Sequence, residues 1–409
     1  MRVVIAPDKF KGSLSAPDVA RHLEAGLHAA ARDSGQISNL EVLRIPVADG
    51  GEGTLDAAVG SGFTRRSAVV SGPTGAPIRA EFAVRGREAV IEMAAASGLA
   101  VLPGGGGGRP DSDSANGASS KGTGELIRAA LDAGCRQIIL GVGGSANTDG
   151  GAGVLQGLGA KLLDADGNEL PPGGAALARL DWIDFSGFDS RLDGARFVLA
   201  SDVDNPLLGA QGAAAIFGPQ KGATPEDVAA LDAALARFVD VLCAEIGPRA
   251  RKAADAPGAG AAGGVGYAAI AVLAATRRPG IDVVLEFTGL AERLAGADLV
   301  ITGEGSLDEQ TLLGKTPVGV ARAARRAKVP VVAVCGRSVL TPEQISSSGF
   351  LAVHALTELE SNVDTCITDA AALLERLGRQ LGEQLANVAH SAQGARALDS
   401  APGKETLSV

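Results

Sequence analysis

Charged side chains recur in glycine-rich stretches that follow short apolar runs. In the clearest case, residues 299–302 form a β-branched run typical of a buried strand. Residues 303–305 then predict that the strand ends, and Ser306 with Glu309 has the spacing of a helix capping box. This stretch carries Glu304, Asp308 and Lys315 as candidate ligand-binding residues. Two carboxylates and a lysine beside a helix start suit a phosphate group and its divalent cation. The alternative is a turn whose glycines only set the backbone.

The same arrangement occurs at three further predicted strands, at residues 3–6, 41–47 and 197–200. The first of these strands is followed by Asp8, Lys9, Lys11 and Ser13, the second by Asp49 and the third by Asp202. In parallel α/β sheets, ligands bind at the carboxyl ends of the strands, so we expect working carboxylates and anion-binding lysines there. The alternatives are helix capping by Asp49 and solvated loop lysines.

A fifth stretch, residues 141–153, contains G-x-G-x-x-A after a strand, with Asp164 and Asp166 about twenty residues further on, as in a dinucleotide fingerprint. Against that interpretation, the loop continues through Asn147, Thr148 and Asp149 into more glycines instead of entering a helix. Its hydroxyl and carboxyl groups better suit an oligophosphate and its cation. The motif G-x-G-x-x-G also occurs at Gly258, Gly260 and Gly263, but no predicted strand precedes it, so we reject a dinucleotide site there. We expect its glycines to allow the close approach of an anion or of another helix.

Composition limits the remaining classes of function. The chain has 409 residues, 46% hydrophobic and 21% charged, which predicts two or three globular domains. A net charge of −10 and 3% aromatic residues argue against DNA and single-stranded RNA as partners. No run approaches the ~20 apolar residues of a membrane span, and the first residues do not resemble a signal peptide. We therefore expect a cytoplasmic protein, with its four scattered cysteines reduced.

Changes in pattern along the chain predict its domains. Residues 69–91 alternate like antiparallel strands, whereas both ends of the chain alternate strands with helices. We predict a discontinuous doubly wound domain at 1–65 plus 285–390, an inserted α/β domain at 66–284, and a frayed tail at 391–409. The glycine-rich residues 103–120 are expected to form a mobile loop.

Several catalytic signatures are missing from the sequence. It has no P-loop, no protein-kinase motif set and no G-x-S-x-G elbow. The remaining pattern is an apolar strand followed by carboxylates and lysines among glycines, and it occurs several times in the chain. Phosphoryl transfer requires such a set: carboxylates for Mg²⁺, cations for the moving group and one carboxylate to accept the proton of a hydroxyl.

Eight stretches, in order, resemble the bacterial glycerate kinases of the two-domain type. They are APDKFKGSLSA, PVADGGEGT, KGTGELI, GGSANTDGGAG, SDVDNPLLG, FGPQKGA, PGAGAAGGVG and ITGEGSLDEQTLLGKTP, within residues 1–385. The resemblance implies ATP-dependent phosphorylation of D-glycerate, typically at the 2-hydroxyl to give 2-phosphoglycerate. It also implies a Rossmann-like domain interrupted by a second α/β domain, with the site in the cleft between them. Two departures are the order of Asn147 and Thr148, which the family usually has as Thr-Asn, and the polyglycine at 104–108.

The resemblance and the strand-end pattern together assign roles. Asp202 or Asp49 is expected to be the general base, and Lys11 to steady the transferring phosphoryl group. The expected Mg²⁺ ligands are Asp149, Glu304 and Asp308. The residues expected to bind substrate or nucleotide are Asp8, Lys9, Ser13, Gly143, Gly144, Ser145, Asn147, Thr148, Gly260, Gly263, Gly264 and Lys315.

Two other functions stay open at this point. One is a nicotinamide-dependent dehydrogenase built on residues 141–146, and the other is a sugar-acid sensor that binds without turnover. The expected partners are the small molecules D-glycerate and ATP, with neither nucleic acid nor membrane, and a homodimer is compatible with the sequence.

Overall fold

A computed structural model describes residues 1–35, 37, 39–103, 110–312 and 314–399, with side chains through residue 387. The strands in these residues, β1 to β13 in chain order, are Arg2–Pro7, Glu41–Arg44, Thr64–Ser71, Pro77–Arg85, Glu88–Glu92, Gln137–Gly141, Lys161–Leu163, Trp182–Asp184, Arg196–Ala200, Thr276–Arg278, Leu299–Leu307, Val331–Ser338 and Ala352–Ala355. The α-helices in the same residues, α1 to α17, are Ala16–Ser34, Thr54–Gly60, Ala94–Ser97, Ser112–Gly117, Lys121–Asp132, Ala152–Gly157, Ala213–Phe217, Pro225–Ile246, Arg249–Ala254, Ala261–Ala271, Gly280–Phe287, Leu290–Arg293, Glu309–Leu312, Thr316–Ala327, Pro342–Ser348, Val363–Thr368 and Ala370–Asp399. Short 3₁₀ helices span Leu99–Val101, Ala175–Arg179, Ser190–Gly194, Pro219–Lys221 and Leu356–Glu358.

The chain divides into two compact units. Met1–Val47 and the chain from Gly289 onward form the first, here called the terminal unit, and Ala48–Thr288 forms the second, the inserted unit. The sequence places these boundaries near residues 65 and 285 instead. The first boundary differs because α2 packs against β4, β5 and α11 and so belongs with the inserted unit. The discontinuous α/β architecture with an inserted α/β domain is confirmed.

The terminal unit is built on a five-stranded parallel sheet in the order β13-β12-β11-β1-β2. Side chains such as Ile5 and Ile301 share one core with apolar residues of α1 and α17, for example Leu23 and Leu374. The alternate residues of these strands are also buried, and α14 packs against β1, β11 and β12. Burial of both faces explains why the strands are continuous apolar runs.

Strand β11 continues past the point where the sequence predicts its end. Gly303 does not break it, because Glu304, Ser306 and Leu307 stay in register with β12. A side chain at Gly303 would collide with the carbonyl oxygen of Val334, so glycine here permits close strand pairing. Ser306 is therefore a strand residue, and the predicted capping box with Glu309 is wrong.

The inserted unit is built on a six-stranded sheet in the order β10-β9-β6-β5-β4-β3. Its strands β5, β6, β9 and β10 are parallel, and β3, β4 and β5 form the antiparallel meander predicted from residues 69–91. A separate hairpin pairs β7 with β8. One core lies between the sheet and α5, and a second surrounds the long helix α8.

Two predicted irregular segments are partly helical. Residues 112–117 within the predicted loop form α4, which Asp111 caps by accepting the backbone N–H of Ser114 at 2.9 Å. Helix α17 extends to Asp399, into the segment predicted to fray. The polyglycine residues 104–108 and residues 400–409 lie outside the described residues.

The four cysteines are free, as predicted, and Cys135 and Cys335 are buried. None of the helices in the described part of the chain combines the length and apolar character that a membrane span needs.

Candidate functional site

In the terminal unit, Asp8 and Glu304 come together because β1 and β11 are neighbours. Pro7 pairs with Gly303 in register, so Asp8 and Glu304, the next residues along the two chains, lie side by side. Asp8 is buried, and its Oδ2 accepts a hydrogen bond from Thr316 Oγ1 at 2.7 Å. Its Oδ1 accepts the backbone N–H of Lys9 at 2.7 Å. The sheet register therefore creates a close carboxylate pair.

Glu304 is the more perturbed of the two acids. Its pKa is raised to about 7, chiefly by burial and also by the negative charges of Asp8 and Asp308. The hydroxyl of Thr311, which donates to Glu304 Oε1 at 2.5 Å, and the charge of Lys315 oppose this shift. A carboxyl group with this pKa is partly protonated at neutral pH, and a bound cation would favour its ionised form.

Asp308 and Lys315 lie on either side of the short helix α13. Asp308 Oδ1 accepts the backbone N–H groups of Gln310 and Thr311 at 2.9 and 3.3 Å, so it caps α13. Lys315 is the N-cap residue of α14, and its Nζ donates to Gln310 Oε1 at 3.0 Å. Both charges act on Glu304, which brings these predicted residues into one cluster.

The loop after β1 carries the remaining predicted residues of this unit. Lys11 is exposed, and its backbone lies beside Gly305 of β11. Ser13 Oγ donates to the carbonyl of Ile367 at 2.7 Å, which gives it a role in holding the loop. Ser15 caps α1 by accepting the N–H of Asp18 at 3.3 Å.

In the inserted unit, Asp202 follows two residues after the end of β9. Its Oδ1 accepts the backbone N–H of Gly280 at 2.9 Å. The side chain is accessible to solvent, yet the protein around it removes enough water to raise its pKa. The Gly280 N–H and Arg277 oppose this rise, while the charges of Asp49 and Asp282 add to it. Asp202 is thus a reachable carboxylate with increased basicity.

Asp49 lies close enough to act electrostatically on Asp202. It is half-buried, and its Oδ1 accepts the N–H of Gly51 at 3.1 Å. The predicted helix cap is not formed, because α2 starts after Gly53 and shows no side-chain cap bond. The structure brings together the two acids predicted as alternative bases.

The glycine-rich loop after β6 borders the segment that follows Asp49. Gly143 lies against the backbone of Gly51, and Gly144 accepts the N–H of Leu99 at 2.9 Å. Ser145 is buried and forms a bridge with Gly98. Helix α6 begins only at Ala152, so residues 141–146 do not form the strand-to-helix turn of a dinucleotide site.

Asn147, Thr148 and Asp149 point into the protein rather than outward. All three are buried, and the Asp149 carboxylate accepts hydrogen bonds from two side chains and three backbone N–H groups. These donors are Ser120 Oγ and N, Asn147 Nδ2, Gly151 N and Gly153 N. Asn147 Oδ1 and Thr148 Oγ1 are buried without a partner in the described residues. Magnesium binding by Asp149 stays a prediction, and its full set of donors weighs against it.

Lys221, the lysine of the FGPQKGA stretch, is 1% exposed. Its Nζ donates to the carbonyl of Asn147 at 2.5 Å. Burial lowers its pKa to about 7, and the charge of Asp149 opposes that shift. The sequence held no signal for this contact, because the two segments are far apart in the chain.

The glycines of residues 258–266 pack against other backbone segments. A side chain at Gly263 would collide with the carbonyl of Asn147, and one at Gly260 with that of Pro206. Gly264 lies against Gly150, and Ala262 to Gly264 all have positive φ. Ligand binding by Gly260, Gly263 and Gly264 stays a prediction, but their packing favours the alternative of close backbone approach.

Two threonines and one arginine near these acids were not predicted. Thr311 and Thr316 are fully buried and donate to Glu304 and Asp8. Arg277 pairs with Asp204 at 2.6 Å, and its charge acts on Asp202. The one available signal was that Thr316 follows Gly314 and Lys315, the Gly-Lys-Thr order that ends a P-loop motif.

The carboxylates of the terminal unit suit a cation that is delivered with phosphate. Within the described residues, no group of three or more His, Cys, Asp or Glu side chains is placed to hold a metal ion. Mg²⁺ commonly needs only one or two carboxylates, with phosphate oxygens and water completing its shell. Asp8 and Glu304 meet that requirement, and Asp308 is committed to capping α13.

The comparisons with known proteins agree with this chemistry. The model of the glycerate kinase family matches residues 3–386. The glycerate kinase of Bacillus subtilis (strain 168) is 43% identical over 388 residues, covering 94% of this chain and 98% of that protein. The glycerate 2-kinase of Escherichia coli (strain K12) is 41% identical over 389 residues, with coverage of 94% and 98%.

The fold shows the same relationship. The crystal structure of a protein assigned as glycerate kinase 2 from Salmonella typhimurium LT2 superposes with a TM-score of 0.78 at 42% identity. The match covers 97% of this chain and 99% of that one. The alternatives of a dehydrogenase and a non-catalytic sensor find no support in these relatives. The chain belongs to the glycerate kinase family and is a kinase.

Proposed function

We propose that this protein transfers the γ-phosphoryl group of ATP to the 2-hydroxyl of D-glycerate, giving 2-phosphoglycerate and ADP. The observation that carries the proposal is the position of Asp202, a solvent-accessible carboxylate of raised pKa at the carboxyl end of β9 and close to Asp49. Family membership supplies the kinase chemistry. The reaction needs a carboxylate of this kind beside the acceptor hydroxyl.

In the proposed reaction, the hydroxyl oxygen of glycerate attacks the γ-phosphorus while Asp202 accepts its proton. The bond from the γ-phosphorus to the β–γ bridging oxygen breaks, and ADP leaves with that oxygen. The backbone N–H of Gly280 holds Asp202 Oδ1 in a fixed orientation. Asp49 keeps the local potential negative, which increases the basicity of Asp202.

A basic side chain is needed for the carboxylate of glycerate. Arg277 is one candidate, because its charge acts on Asp202 and Asp204 pairs with its Nη2 at 2.6 Å. Its Nε is buried without a partner in the described residues. Lys11 and Lys315 are the candidates for the phosphoryl groups, since the first is exposed beside β11 and the second precedes α14.

The nucleotide would carry Mg²⁺, and the charge of this ion would offset that of the phosphate groups. Glu304 and Asp8 would hold it, with Thr311 and Thr316 orienting their carboxylates through hydrogen bonds of 2.5 and 2.7 Å. The location of the site in a cleft between the two domains stays a prediction from the family resemblance, as do the cytoplasmic location and a homodimer.

The proposal is tested with purified protein, ATP, Mg²⁺ and D-glycerate. We expect release of ADP that depends on D-glycerate, and a phosphorus NMR signal coupled to the proton on carbon 2 of the product. A product phosphorylated on carbon 3 would contradict the proposed position. No ADP release with D-glycerate, under conditions where another hydroxy acid is phosphorylated, would contradict the proposed substrate.

Glu304 provides a prediction on pH dependence. Its carboxyl group has a pKa of about 7, so the ionised form that binds a cation rises from about one tenth at pH 6 to about nine tenths at pH 8. We expect the Mg²⁺ complex of a non-hydrolysable ATP analogue to bind about tenfold more tightly at pH 8 than at pH 6. Titration calorimetry with the Glu304→Gln variant in parallel removes the contribution of the nucleotide's own protonation. Equal pH dependence in both proteins would show that Glu304 does not bind the cation.

A further inference from the structure

The inserted unit has a basic cavity at the edge of its sheet opposite Asp202. The cavity has a volume of about 480 Å³ and is lined by Arg87, Glu88, Arg136, Gln137, Gly194 and Arg196. These residues lie at the amino ends of β5, β6 and β9. Arg196 begins β9, and Asp202 follows the other end of that strand. The cavity and Asp202 are therefore separated by the length of β9, ~16 Å.

The three arginines occupy adjacent positions across the sheet. The backbone N–H of Arg136 donates to the carbonyl of Arg87 at 2.8 Å, and the N–H of Arg196 donates to the carbonyl of Arg136 at 2.7 Å. Neighbouring strands are ~4.8 Å apart, so the three side chains start at roughly that spacing. Backbone pairing therefore brings the three arginines next to one another, and all three line the cavity.

The charges of this cavity are largely uncompensated. Arg87, Arg136 and Arg196 form no ion pair within the described residues. The one carboxylate in the lining, Glu88, is already bonded to Arg85 Nη2 and to Gln137 Nε2, each at 3.0 Å. Arg136 Nη1 donates to the carbonyl of Cys135 at 2.6 Å, which fixes one guanidinium in place. This is a partly preorganised cationic site in a chain of net charge −10.

We propose that this cavity binds a small anion bearing two phosphate groups, separately from the kinase reaction. Guanidinium groups recognise phosphate oxygens through paired hydrogen bonds, and three of them provide enough donors for two phosphate groups. The volume suits a small molecule, and the negative charge of the whole chain disfavours a nucleic acid. The proposal does not depend on the identity of the kinase substrate.

The test uses inorganic pyrophosphate as probe and titration calorimetry as measurement. For the Arg87→Ala/Arg196→Ala double variant, we expect binding of pyrophosphate at this cavity to weaken at least tenfold, because two charge-assisted contacts are lost. The affinity of Arg87→Lys/Arg196→Lys for pyrophosphate should lie between those of the unmodified protein and the double alanine variant. Lysine keeps the charge but not the paired hydrogen-bond geometry. Thermal unfolding checks that both variants are folded.

A matched control changes two exposed arginines elsewhere, Arg249→Ala and Arg326→Ala. It removes the same charge, so it should leave pyrophosphate binding within twofold of the unmodified protein. If pyrophosphate binds only at the nucleotide site, Arg87→Ala/Arg196→Ala will bind as the unmodified protein does, and the proposal fails. An equal loss in the control would attribute binding to overall charge and would also overturn it.

Discussion

Replacing Asp202 with asparagine is expected to lower kcat by about 10² or more, because the amide cannot accept the proton of the attacking hydroxyl. The fold should persist, since asparagine can still accept the hydrogen bond from Gly280 N. Because the pKa of Asp202 is raised, kcat of the unmodified protein should fall as acid protonates this carboxyl group. The kcat of Asp202→Asn should not show this fall at acidic pH. Steady-state kinetics from pH 5 to pH 8 provide both measurements.

Two further variants make the test specific. Asp166→Asn alters an exposed turn carboxylate of the same unit and should keep full turnover. Asp49→Asn removes one of the charges that raise the pKa of Asp202. The fall of kcat at acidic pH should therefore move to lower pH. If Asp202→Asn and Asp49→Asn both retain the turnover of the unmodified protein, the general base lies elsewhere.

Substituting Lys221 with methionine is expected to change how stability depends on pH. The pKa of Lys221 is lowered to about 7 by burial, whereas an unfolded lysine titrates at ~10.4. Between these values the unfolded chain binds more protons, so this group makes stability rise with pH. Its destabilising contribution is full below pH 7 and disappears above pH 10.5. Relative to Lys221→Met, the unmodified protein should gain about 2 kcal/mol of unfolding free energy from pH 7 to pH 9.

Urea unfolding at both pH values measures this difference. Trp182 is the single tryptophan and lies in the inserted unit, so its fluorescence reports the relevant transition. Lys252→Met, which removes an exposed lysine of the same unit, should differ from the unmodified protein by an amount independent of pH. A stability difference for Lys221→Met that is also constant with pH would mean that Lys221 is charged in the folded protein throughout this range.

Local pattern was informative where a strand or helix depends on its own residues. The strands predicted at residues 3–6, 197–200 and 299–302 all form. The prediction at 303–305 was wrong because β12 supplies hydrogen bonds that a local reading cannot include. A glycine at the end of an apolar run can end the strand or allow an adjacent strand to pair closely. Which of these occurs depends on whether an adjacent strand lies there in the folded protein.

Register across the sheet decided which predicted residues come together. Asp8 and Glu304 are 296 positions apart in the chain, yet pairing of Pro7 with Gly303 places them side by side. The sequence predicted both acids as strand-end residues, but their mutual effect on pKa required the strand order. Thr311 and Thr316 were missed for the same reason, since their roles consist of contacts with these acids.

By itself, the sequence determined the class of chemistry and the family, because ordered stretches of acids, lysines and glycines at strand ends are a property of the chain. It also determined that Asp49 and Asp202 are candidate bases. Only the tertiary structure decided which polar residues face inward. Asp149 is surrounded by donors, and Lys221 is buried against Asn147. The physical reason is that desolvation and hydrogen bonding depend on segments distant in sequence, and these meet only when the chain folds.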